Sequence, residues 1–244
     1  YFFRFPNQIV RKSNRIGFGI STKADPIFWS KELNARWYLD WKTTPIDANK
    51  NPEYWQMIRL SNEGFKPSEK EIIQLAINYP GHTWIIGNEP DNRYQDNIDY
   101  SQFTKKYHYL YYLVKKYDPT SKIAIGAISQ PTPLRLQYLD LVLAEYQKLF
   151  NHNLPVDWWT LHAYVLREEK DSWGADIPTG FPNSTGTLYE IEQHGDISIF
   201  KANILNFRSW MKKNGYQNIP LAITEFGILL PKEFGFSSDK VADY

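Results

Sequence analysis

The sequence predicts an α/β fold around a parallel sheet, of the (β/α)8 TIM-barrel kind. Three observations predict it. Short apolar or β-branched runs alternate with helix-length amphipathic stretches, the pattern of repeated βα units. The first run is not followed by the Gly-rich phosphate loop of a doubly wound dinucleotide fold. The chain has 244 residues, and α/β barrels stand undivided at about 200–250.

Seven runs read as strands: residues 16–21, 35–41, 54–60, 83–87, 122–129, 156–164 and 221–225. Between the third and fourth, Ser68 with Glu71 forms a capping box for a helix ending near Asn78. Residues 101–116 carry Phe103, Leu110 and Leu113 at helical spacing. Thr132-Pro133 opens a helix that reaches Phe150, with proline at its first position. Asp196 caps another, which runs to Lys213 and closes at Asn214-Gly215. Residues 237–242 read as the start of a further helix. An eighth strand with its helix would need roughly 40 more residues. The expectation is therefore one domain over 1–244, truncated at its C-terminus and starting at Tyr1 as a processed chain or a fragment. Residues 165–195, rich in Gly, Pro, Ser and charge, read as a long loop on the catalytic face.

Composition narrows the function. A formal charge of +1, with Lys and Arg scattered, supplies no basic stripe for nucleic acid, so a neutral substrate is expected. No apolar run is long enough for a membrane span. The absence of cysteine excludes disulfides and thiolate catalysis. The five histidines lack metal-ligand spacing, so neither a metal nor a cofactor is expected. Asn183-Ser184-Thr185 fits the glycosylation acceptor pattern, which matters only in a eukaryotic secretory pathway.

Chemistry concentrates in three motifs. Glu89 ends the fourth run, in Trp84-Ile85-Ile86-Gly87-Asn88-Glu89-Pro90, and Glu225 ends the seventh, in Ala222-Ile223-Thr224-Glu225-Phe226. Barrel enzymes place their chemistry at such C-terminal strand ends. Two carboxylates with different environments can divide the work of glycoside cleavage, one protonating the leaving oxygen while the other attacks or activates water. The third motif, Thr160-Leu161-His162-Ala163-Tyr164, puts His162 and Tyr164 on one face of a strand, and a tyrosine hydroxyl on a neighbouring carboxylate would keep it ionised and oriented.

With these motifs the chain resembles the clan A retaining glycoside hydrolases, and most resembles glycoside hydrolase family 128 and its uncharacterised relatives. The resemblance spans about residues 16–228 and rests on Arg36-Trp37-Tyr38-Leu39-Asp40-Trp41, Tyr54-Trp55-Gln56-Met57-Ile58, Asn88-Glu89-Pro90-Asp91, His162-Ala163-Tyr164 and Thr224-Glu225-Phe226-Gly227. It implies Glu89 as acid/base, Glu225 as nucleophile, Asn88 on the sugar 2-hydroxyl, Tyr164 holding Glu225, and His162 as polar support. It also implies carboxyl groups about 5–5.5 Å apart, and an endo-β-glucanase acting on polysaccharide outside the cell.

Sugars stack on aromatic rings, and 16% of residues are aromatic. Trp41, just past the second run, and Trp173, in the long loop, are the expected platforms, while Trp84 and Trp210 are expected in the core. Arg59 and Asp91, near strand ends, are expected either to touch sugar hydroxyls or to form salt bridges. Two rival readings stay open: a carbohydrate-binding barrel that turns nothing over, and a lyase or isomerase in which the glutamates abstract protons.

Overall fold

The computed structural model describes residues 15–21, 23–43 and 51–242. Its parallel strands are β1 (Gly17–Gly19), β2 (Trp37–Leu39), β3 (Glu53–Leu60), β5 (Thr83–Ile86), β6 (Lys122–Ile125), β7 (Trp159–His162) and β8 (Leu221–Glu225). Six fall inside the expected runs, mostly shortened at the ends, and β3 starts one residue ahead of its run. A two-residue strand β4 (Phe65–Lys66) folds back antiparallel on β3, a hairpin the sequence reading did not contain.

Ladders order the strands β1-β2-β3-β5-β6, and β7 pairs with β8. A parallel bridge from Ala124 to Trp158 joins the two groups. Between β8 and β1 no ladder forms among the described residues, although their Cα atoms come within 8 Å. The strands thus curve round nearly to meet, leaving an open seam.

The helices are α1 (Pro26–Glu32), α2 (Glu69–Asn78), α3 (Tyr100–Tyr117), α4 (Pro133–Phe150), α5 (Ile197–Lys213) and α6 (Ser238–Ala242). The Ser68–Glu71 capping box forms as expected, and Asp99 and Asp196 cap α3 and α5 by accepting from backbone N–H groups. The sequence reading missed α1, whose signal is Asp25 accepting from Ile27 N–H with Pro26 at the first position. Because Phe28 and Trp29 stay exposed, α1 has no apolar stripe to betray it. Among the described residues no helix is long and apolar enough to cross a membrane.

Strand alternation divides the core in two. Inside the curl lie Leu39, Trp55, Met57, Ile85, Ala124 and Ala222, with Trp37 stacked on Trp55 at 4.4 Å between ring centroids and Trp158 edge-on to it. Outside, Ile58, Leu60, Trp84, Ile86 and Ile125 pack under α2, α3 and α4. Trp84 and Trp210 are core residues, as expected. The inner layer fills the N-terminal side of the sheet, which leaves the C-terminal strand ends to polar side chains.

Candidate active site

Glu89 follows β5 and Glu225 ends β8, so both carboxylates stand at C-terminal strand ends. Glu89 has a left-handed backbone (φ 45°), a conformation unusual for a side-chain-bearing residue and concentrated at functional sites. Its N–H donates to Ala127 O at 2.9 Å, fastening the turn to the end of the next strand unit. Across β7 and β8 the register slips between Leu161 and His162, so that His162 pairs with Glu225. This irregularity re-aims the end of the strand towards the glutamates.

One imidazole joins the two acids. His162 Nδ1 lies 2.7 Å from Glu89 Oε1, and its Nε2 lies 3.3 Å from Glu225 Oε1. Glu89 Oε2 accepts from Asn92 Nδ2 at 2.7 Å, and the same amide also reaches Ser129 Oγ at 3.1 Å. On Glu225, Trp41 Nε1–H donates to Oε1 at 2.6 Å and the Tyr164 hydroxyl donates to Oε2 at 3.1 Å. One ligand-type atom from each of Glu89, His162 and Glu225 falls within 4.8 Å of the others, so the trio could surround a metal ion, yet each side chain is already engaged by hydrogen bonds.

Electrostatics separate the roles. Burial pushes the Glu89 carboxyl up, but the hydrogen bond and charge of His162, helped by Arg135 and Ser129, outweigh it and hold the group below the usual range. Burial pulls His162 down, and the hydrogen bond to Glu89 with the charges of Glu225 and Glu89 more than reverses this. The Tyr164 phenol is raised, first by burial and then by the charge of Glu225, so it stays a donor. Glu89 and His162 thus form a hydrogen-bonded pair displaced in opposite directions, while Glu225 accepts from both Trp41 and Tyr164.

The remaining expected residues divide. Asn88 is buried, with its N–H on Asp96 and its Nδ2 on Gln95; Oδ1 has no partner among the described residues. Arg59 forms the salt bridge of its two alternatives, to Asp96 at 2.6 Å, and donates a hydrogen bond to Gln95 Oε1 at 3.1 Å, while staying partly exposed. Asp91 also takes the salt bridge of its two alternatives: it is fully buried and paired with Arg135. Burial pushes its carboxyl up against the opposing charge of Arg135. Trp173 packs on Tyr164, Leu166 and Ala175 and edge-on to His194, beside the site rather than as an open platform. Trp41 is 37% exposed, and its edge is spent on Glu225.

The sequence reading missed the supports. Arg135, wholly buried on α4, pairs with Asp91 and with Glu168 of the long loop, and donates to the carbonyls of Ala175 and Asp176. Thr132 Oγ1 also donates to Glu168. Thr179 N–H donates to Asp91 O at 2.9 Å. Residues 165–195 are therefore fastened to α4 and to the turn after β5.

A curled, mainly parallel α/β sheet with a carboxylate pair at the C-terminal strand ends is the class that fold and site define. Comparison with solved structures then finds the fold of family GH128 β-1,3-glucanases. A subgroup II endo-β-1,3-glucanase from Pseudomonas viridiflava matches with TM-score 0.58 at 14% identity, over 93% of this chain and 76% of that one. A subgroup I endo-β-1,3-glucanase from Amycolatopsis mediterranei, solved with laminaritriose, matches with TM-score 0.59 at 16% identity, over 95% and 80%. A subgroup III curdlan-specific exo-β-1,3-glucanase from Blastomyces gilchristii, solved with glucose, gives 0.59 at 16%, over 89% and 78%. No family model matches the sequence, and no curated protein matches it.

Proposed function

We propose that the chain is a retaining glycoside hydrolase of β-glucan, working by double displacement on a (β/α)8-type barrel. The observation that carries this reading is the spacing of the glutamates, whose nearest oxygens lie within 4.8 Å. Retaining enzymes use carboxyl groups about 5–5.5 Å apart, whereas inverting ones leave about 6.5–9.5 Å for a water.

Glu225, which accepts from Trp41 and Tyr164, attacks the anomeric carbon. The glycosidic C–O bond breaks, and the departing oxygen takes the proton that Glu89 shares with His162. In the second step Glu89 takes a proton from water, whose oxygen attacks the same carbon and releases the ester to Glu225. Two inversions return the original anomeric configuration. The unpartnered Oδ1 of Asn88 supports a contact to a sugar hydroxyl beside Glu89.

The shared fold supports β-1,3-glucan as the first substrate class to test, and the exposure of Trp41 and Arg59 supports an open cleft and endo action. A polysaccharide substrate argues for an extracellular protein. The test is hydrolysis of laminarin, curdlan, lichenan, mannan and xylan, with product anomers followed by NMR. The expected result is β-glucan cleavage with the β-anomer appearing first. First appearance of the α-anomer would overturn the mechanism, and binding with no hydrolysis would favour a carbohydrate-binding barrel.

A further inference from the structure

We infer that Trp41 is a positioning residue for Glu225, its indole N–H fixing the nucleophilic carboxylate while its ring borders the sugar cleft; the kinetic part of this inference rests on the glycosidase reading. Three features of the chain build this geometry. Trp41 sits two residues past β2 with a left-handed backbone (φ 58°), which turns the side chain off the strand path and towards β8. Its Nε1 reaches Glu225 Oε1 at 2.6 Å, a short charge-assisted bond across 184 residues of sequence. Gly19 at the end of β1 clears the space: a Cβ there would fall 2.9 Å from Trp41 Cη2.

The bond is stereochemically useful. Tyr164 holds Oε2, and Trp41 and His162 lie against Oε1, so Glu225 is held at both oxygens by side chains from β7 and the residues just past it and from the loop after β2. A carboxylate held at both ends cannot rotate out of line for attack, and small misplacements of a reacting group cost large factors in rate. A ring serving only as a sugar platform would need none of this, since stacking uses the face and leaves the N–H indifferent.

The experiment compares wild type with Trp41→Phe, which keeps a ring and removes the donor, and with Gly19→Ala, which leaves every polar group in place and presses on the ring. Both variants are to be checked for folding by circular dichroism. On β-glucan, Trp41→Phe lowers kcat by roughly ten- to a hundred-fold with little change in KM, as expected for losing one hydrogen bond to a charged group. Gly19→Ala lowers kcat in the same direction. Labelling of Glu225 by an activated 2-deoxy-2-fluoro-β-glucoside, followed by mass spectrometry, slows by a similar factor in both. Raised KM with unchanged kcat and labelling rate would reduce Trp41 to a platform and overturn the inference alone. If wild type neither hydrolyses nor labels, the glycosidase reading fails, and the NMR signal still decides the geometry. The Trp41 indole N–H, assigned by its loss in Trp41→Phe, is expected far downfield in wild type and displaced upfield in Glu225→Ala. An unshifted signal would sink the bond itself.

Discussion

His162 Nδ1 lies 2.7 Å from Glu89 Oε1, and the two groups shift in opposite directions, the carboxyl downward and the imidazole upward. A raised histidine contributes stability that is present below its unfolded value, about 6.5, and lost as pH rises through its folded value. A depressed glutamate contributes stability present above about 4.3 and lost as pH falls through its folded value. The pair therefore stabilises the fold most between these limits. Urea unfolding of wild type and His162→Gln at several pH values checks this: the stability difference should peak near about pH 5.5 and shrink on both sides. Equal pH dependence in the two proteins would remove the shared proton from the account.

In the proposed mechanism the same pair governs turnover. Glu89 and His162 are hydrogen-bonded and shift in opposite directions, so in that mechanism the pair titrates as a unit and supplies the proton for the leaving oxygen. Replacing Glu89 with Gln should lower kcat by about 10²–10⁴-fold on β-glucan, the usual worth of a general acid–base. With an aryl glycoside whose leaving group needs no proton, bond cleavage should survive and glycosyl-enzyme should accumulate. Replacing Glu225 with Gln should instead abolish both reactions and the covalent intermediate. A Glu89→Gln protein equally impaired on both substrates would argue against the acid role.

These two glutamates were legible because each closes an apolar run, and position along a run is a one-dimensional property. The supports were not. Trp41 donates to Glu225 only because its backbone is left-handed and Gly19 leaves room, and neither condition shows in local periodicity. Arg135 reads in sequence as a charge on a leucine-rich helix, and its partners lie 44 and 33 residues away. Strand ends were overrun for a related reason: residues 126–129 continue the apolar composition of β6 but form the loop that receives Glu89 N–H and offers Ser129 to Asn92. Asp91 was left between sugar contact and salt bridge because the choice depends on an arginine of α4, 44 residues away.

Gly17 on β1 faces the inner layer, where an added Cβ would fall 2.0 Å from the Trp37 ring. The ring is held by its stack on Trp55, so it cannot retreat without breaking that contact. Gly17→Ala is expected to cost about 1–3 kcal/mol, the range for overpacking a filled core. Denaturant midpoints measure it, and an unchanged midpoint would show that the inner tryptophans can shift freely.

Arg135 offers the sharpest test of how the long loop is held. Its guanidinium is buried against Asp91 and Glu168, so removing it strands two carboxylates without their counter-charge. Arg135→Met should therefore cost about 3–5 kcal/mol, the penalty of breaking a buried ion pair from one side. It should also free residues 165–195, since the carbonyls of Ala175 and Asp176 lose their donor. Limited proteolysis should then cut within that loop before the rest of the chain. The triple change Arg135→Met with Asp91→Asn and Glu168→Gln removes the stranded charges and should recover much of the stability, because neutral groups escape most of the desolvation penalty. Loop cleavage should persist in the triple variant, as the carbonyls remain without their donor. If the single and triple variants are equally unstable, packing of the arginine stem rather than its charge holds the loop.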